Sequence, residues 1–172
     1  MIRHEVYIRK YDWHVELYYA VTCYHVDDIM RSLESIDCPE PFLRKAYDNM
    51  SSCKLDNGIT YTNSRLRRSV VVIGMHSSPA QFLNSFMHEL RHLTDHLMVS
   101  LNMEPGGEDI AYLTGDLAEE LVNDVAMFIC NCHCHKNEIE NSIYEQNKTK
   151  SYGNKNQFET RSCPSRGGYH HK

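Results

Sequence analysis

Between Pro79 and Leu101 the chain carries Phe82, Leu83, Phe86, Met87, Leu90, Leu93, Leu97 and Leu101 at helical period. A stripe of that length must be buried against something, and it predicts a helix over 79–101, with Ser78 able to cap its start and Pro79 suited to the first helical position. Set into the same stretch, as SFMHELRHLTDHL, are His88, Glu89, His92 and His96. Positions four apart share a helix face, so His88 and His92 stand side by side, while Glu89 points about 100° away from His88.

The rest of the pattern surrounds this helix with a small sheet. Val6 and Ile8, then Val15, Leu17 and Tyr19, read as two strands joined by a turn at KYDW. VDDIMRSLESI has a helical period, with Asp27 and Asp28 in its first turn, and a second helix is expected to start near Pro41. DNGITYTNSRLRRSVVVIG reads as a hairpin. Its first arm, Ile59 to Thr62, alternates apolar with polar as a half-exposed edge strand does; its second, Val70 to Ile73, is continuously apolar as an inner strand is. After NMEPGGE, one long helix is expected from about Gly107 to Ile129, with Ile110, Leu113, Leu117, Leu121 and Val125 on one face. Together these elements make an α+β domain over 1–135: a small β-sheet packed on the histidine helix and an antiparallel helix after it. Residues 136–172 are polar and nearly free of aliphatics, and read as a flexible tail.

With 172 residues, one compact domain is the natural expectation. The 18 Lys+Arg are scattered among 23 Asp+Glu, so no basic stripe suggests a nucleic-acid partner. No stretch approaches the roughly 18 apolar residues of a membrane span, and the N-terminus lacks the pattern of a leader. Of the 7 cysteines, Cys130, Cys132 and Cys134 alternate too tightly to pair easily with one another. Reduced thiols in a cytoplasmic protein are therefore expected in place of a disulfide framework.

His88-Glu89-Leu90-Arg91-His92 is an H-E-x-x-H arrangement. Neutral imidazoles bind Zn²⁺, the cation lowers the pKa of a bound water, and a carboxylate beside it accepts the proton. Such a site needs a third protein ligand and an open position. Asp95 and His96 lie near the same face; Glu108 opens the next helix; Asp116, Glu119 and Glu120 lie deeper in it. If the histidine helix runs to Leu101, His92 is roughly 14 Å from its end. An antiparallel return would then bring Asp116 level with it, whereas a helix ending near Leu97 would bring Glu108.

His88-Glu89-x-x-His92 followed by Glu108-x-x-Ala111-Tyr112 resembles the gluzincin clan of metallopeptidases, and most nearly the small zinc metallopeptidases of phages and related mobile elements, whose AYL-x-G stretch is matched by Ala111-Tyr112-Leu113-Thr114-Gly115. The resemblance covers about residues 58 to 125. It implies a minimal zincin-like domain that hydrolyses peptide bonds with one Zn²⁺. His88, His92 and Glu108 would be the metal ligands, Glu89 the general base, and Ile59 to Thr62 the edge strand along which a substrate peptide lies. Tyr112 stands where the clan often has Asp, which leaves the customary partner of a ligand histidine to a phenol. Tyr112, Tyr61 and His96 are candidate oxyanion donors.

CNCHCH, with Cys130, Cys132, His133, Cys134 and His135, is a second metal candidate, but its compressed spacing departs from the C-x₂₋₄-C pairs of structural zinc sites, and its distant partners reduce to Cys163, His170 and His171. His4, His14 and His25 lack partners at ligand spacing, and Arg65, Arg67 and Arg68 read as a solvated turn. No G-x-S-x-G elbow is present, and Cys23, Cys38 and Cys53 carry no local signature of a nucleophile.

Overall fold

The structure, a computed structural model, describes residues 1–130. The expected tail at 136–172, and Cys132, His133, Cys134 and His135 with it, lie outside the described residues. The fold is α+β, as the periodicities predict. Strands β1 (Ile2–Ile8), β2 (Trp13–Val21), β3 (Gly58–Asn63) and β4 (Arg68–Gly74) form one sheet in the order β1-β2-β4-β3. The two hairpins, β1–β2 and β3–β4, are antiparallel and meet through a parallel β2–β4 pair. Helices α1 (Val26–Ser35) and α2 (Glu40–Ser51) make the crossover that a parallel pair requires. Helices α3 (Pro79–Ser100), α4 (Glu108–Glu120) and α5 (Val122–Ile129) follow β4.

Both faces of the sheet are covered, which explains the continuous apolar runs of β2 and β4. On one face Tyr18, Val21, Ile59, Val70 and Val72 meet Ile29, Leu33 and Met50 of α1 and α2. On the other, Tyr19 contacts Phe82 of α3 and Phe128 of α5, and these two rings stack with centroids 4.4 Å apart. Simple alternation would put Tyr18 and Val21 on opposite faces. A bulge brings them together: the register with β4 shifts between these residues, and Ala20 adopts a φ of 52°.

The stripe of α3 is buried at Phe82, Phe86, Leu90, Leu93 and Leu97, whereas Leu83 and Met87 are exposed. Two expectations are corrected. The helix anticipated from Gly107 to Ile129 is two helices, because Leu121 leaves helical geometry with φ −91° and ψ 1°. Leu113, Leu117, Leu121 and Val125 all remain buried, so the break hardly disturbs the apolar face on which the expectation rested. The cysteines are not all reduced thiols: Cys23 and Cys53 form a disulfide. It ties the turn after β2 to the end of α2 across a sequence separation of 30, a proximity created by the packing of α2 and invisible to local spacing. No helix among the described residues is long and apolar enough to cross a membrane.

Candidate active site

Helix α3 lies against β3 and β4 and presents its histidines beside the β3 edge of the sheet. His88 and His92 are exposed, so neither is a core histidine. Their Nε2 atoms are 3.1 Å apart. Two nitrogens each about 2.1 Å from one tetrahedral ion stand roughly 3.4 Å apart, so the pair is already close to the spacing a single zinc requires.

Glu89 turns away from this pair toward the sheet and is only 4 % exposed. Thr60 of β3 donates its hydroxyl to Glu89 Oε2 at 2.7 Å. Gly58, two residues earlier on the same strand, leaves the space the carboxylate fills: a Cβ there would come within 2.3 Å of Oε1. His88, Glu89, His92 and His96 line one cleft of about 360 Å³ with Gly58, Ile59 and Thr60 of β3 and with Phe42, Lys45 and Asn49 of α2. The carboxylate therefore belongs to the cleft wall, one residue from the imidazole pair. Among the described residues β3 pairs only with β4, which leaves its other edge available to a further strand.

The three candidate oxyanion donors separate. Tyr61 packs on Phe42, with ring centroids 5.1 Å apart, and its hydroxyl donates to the Asp37 carbonyl. Tyr112 is 68 % exposed and lines another cleft with Tyr7 and Lys10. Only His96 of the three lines the histidine cleft, where its Nδ1 is 3.2 Å from Thr62 Oγ1. Burial and the neighbouring His92 pull its imidazole below the ordinary range, against a smaller opposing effect of Asp95.

The acidic candidates lie elsewhere. Asp109, Asp116 and Glu120 line the cleft with Tyr7 and Lys10 of the β1 side, at the opposite edge of the sheet from β3. Glu108 is exposed at the first residue of α4, Glu119 is exposed too, and Asp95 accepts from Arg91 Nε at 2.8 Å. No group of three His, Cys, Asp or Glu side chains stands at metal-holding spacing among the described residues. The imidazole pair and Glu89 are thus brought together, and Glu108 is not placed with them.

Other residues singled out by sequence have local partners. His4 Nδ1 is 2.7 Å from Asp124 Oδ2, His14 stacks on Tyr7, and His25 Nδ1 accepts from the Thr22 amide. Arg65 pairs with Asp37 and Arg68 with Glu16, while Arg67 donates to the Tyr11 carbonyl. Sequence reasoning placed Ile59 to Thr62 along the cleft as an edge strand but did not connect Gly58, Thr60 and Thr62 with Glu89 and His96. The available signal was the alternation of β3, which places these three on the face opposite Ile59 and Tyr61. Comparison with protein-family models, curated proteins and solved structures gives no match.

Proposed function

We propose that this chain is a zinc-dependent peptidase, and the observation that carries the reading is the convergence of two accessible imidazole nitrogens beside a buried, hydrogen-bonded carboxylate along an open strand edge. His88 and His92 would hold Zn²⁺, with Glu108 the third ligand that the resemblance to gluzincins suggests. The bound ion would supply a hydrolytic water of lowered pKa and polarise the scissile carbonyl. The β3 edge aligns the peptide by backbone hydrogen bonds. Glu89, oriented by Thr60, takes a proton at its carboxylate and delivers it to the leaving amine. His96, one turn beyond His92 in the same cleft, would donate to the carbonyl oxygen as charge develops there.

The second reading is a non-catalytic metal-binding or interaction protein derived from such a domain. Its support is the absence of a third donor beside the imidazole pair among the described residues. Metal stoichiometry combined with a mixed peptide library separates the two. The peptidase reading expects about one zinc per chain, lost in His88→Ala and His92→Ala and kept in the Cys132→Ser/Cys134→Ser double variant, together with cleavage by the parent. Glu89→Gln should keep the metal and lose activity by a factor on the order of 10² to 10⁴. One tightly held zinc with no cleavage across the library selects the binding protein. Equal cleavage by Glu89→Gln and the parent refutes the role of Glu89. We place the activity in the cytoplasm; the Cys23–Cys53 bond is the observation against that placement, and thiol counting on protein drawn from a reducing cytosol tests it.

A further inference from the structure

Next to the histidine cleft, around the N-terminal end of β3, lies a second cavity of about 290 Å³. Its walls are Val21, Val72, Ile59, Met50 and Met75, joined by the Cys23–Cys53 disulfide. Asn49, Gly58 and Ile59 line both cavities, so the two adjoin at the strand whose edge is open. Tyr24 and Leu55, also part of its lining, are 91 % and 54 % exposed. Two large apolar side chains exposed in the lining mark a surface suited to an apolar occupant.

We propose that this cavity is the specificity subsite of the peptide cleft and takes a bulky apolar side chain, leucine, methionine or phenylalanine, from the bound peptide. The assignment rests on the reading of the cleft as a peptide site. A peptide added to the edge of β3 would alternate its side chains between the two faces of the sheet. Those on the face shared by Ile59 and Val72 would meet this cavity, and those on the other face would meet the side of Thr60 and α3. Thr22, Asn49, Lys54 and Asn57 also line the cavity, so the preference for an apolar side chain rests on the area it would bury against Val21, Met50, Ile59, Val72 and Met75. The disulfide holds the turn after β2 against the end of α2, which fixes two walls before any peptide arrives.

The test uses the full chain, zinc-loaded, with ¹³C-methyl methionine as the probe. Met50 and Met75 report on the cavity, and Met30, Met98 and Met103 serve as controls. Glu89→Gln protein, in which turnover is expected to be slowed by a factor on the order of 10² to 10⁴, is titrated with capped Gly-Gly-X-Gly tetrapeptides in which X is Phe, Leu or Ala. Saturable shifts at Met50 and Met75 are expected with Phe and Leu at concentrations roughly 10- to 100-fold below those needed with Ala. In the otherwise unaltered protein, Met75→Trp, which fills the cavity, should reduce cleavage of large-X library members by a similar factor while sparing small-X members.

Equal titration by Phe and Ala peptides overturns the subsite, as does an unaltered library preference in Met75→Trp. The peptidase reading fails separately: methyl shifts selective for Phe without any cleavage by the parent would leave a peptide-binding groove with this subsite and no enzyme. Cleavage without apolar preference and without methyl shifts would leave the enzyme and remove the subsite.

Discussion

Glu89 is held by a contact that depends on one missing side chain. Its carboxylate occupies the place where Gly58 has no Cβ, and Thr60 fixes the other oxygen at 2.7 Å. Gly58→Ala would bring a methyl to within 2.3 Å of Oε1, and because the carboxylate is buried and bonded it must turn out of its seat. A displacement of about 1 Å at a reacting group costs on the order of 10² in rate, so that loss in kcat is expected, with zinc content unchanged because His88 and His92 are untouched. Retention of full activity would show that the seat is not the working position of Glu89. His96→Ala should lower kcat by roughly 10² with KM nearly unchanged, since an oxyanion donor acts in the transition state. A rise in KM alone would make His96 a substrate-binding residue.

On the peptidase reading Glu108 of helix α4 is the third ligand, and the variants that test it against the deeper acids lie on that one element. Glu108→Gln should weaken zinc affinity by more than about 100-fold, beyond what loss of an outer partner costs, while Asp116→Asn, on the β1 side, should change it little. Parent-like affinity in Glu108→Gln would remove Glu108 from the metal and favour the binding-protein reading or another donor. Elements whose identity depends on local period were readable from sequence. The alternation of Ile59 to Thr62 against the continuous run of Val70 to Ile73 marked an edge and an inner strand, and β4 does lie between β2 and β3. Within the site, the spacing of His88 and His92 was enough to predict a shared helix face. What depends on distant chain was not readable. The close approach of Gly58 to Glu89 and the pairing of Cys23 with Cys53 both arise from packing between segments about 30 residues apart. By loop-closure entropy that disulfide contributes roughly 3 to 4 kcal/mol, the loss in unfolding free energy expected for a Cys23→Ser/Cys53→Ser double variant in urea.

The connections that unite the sheet with its first helical layer converge on a buried charge far from the cleft. Glu16 of β2 accepts from Arg3 of β1 at 3.2 Å, from Arg68 of β4 at 2.7 Å, from Ser32 of α1 at 2.7 Å and from Tyr18 at 2.9 Å. Burial alone would raise its pKa, but the Ser32 and Tyr18 hydroxyls and the two guanidinium groups together outweigh it and hold the carboxyl below its ordinary value. A carboxyl held low in the fold stabilises it at pH above the unfolded value near 4.5, and that stabilisation disappears as pH falls through the folded value. Asp124 acts in the opposite sense, because burial raises its pKa despite His4 and Tyr19. Comparison with Glu16→Gln isolates the Glu16 share. The urea midpoint of the parent should fall more steeply than that of the variant as pH decreases from about 5 to 3. The variant should be the less stable of the two at pH 7, where Arg68 loses its carboxylate and Arg3 keeps only Glu5. Parallel curves for the two proteins across that range would show that Glu16 gains nothing from its four partners in the folded state beyond what water gives it in the unfolded chain.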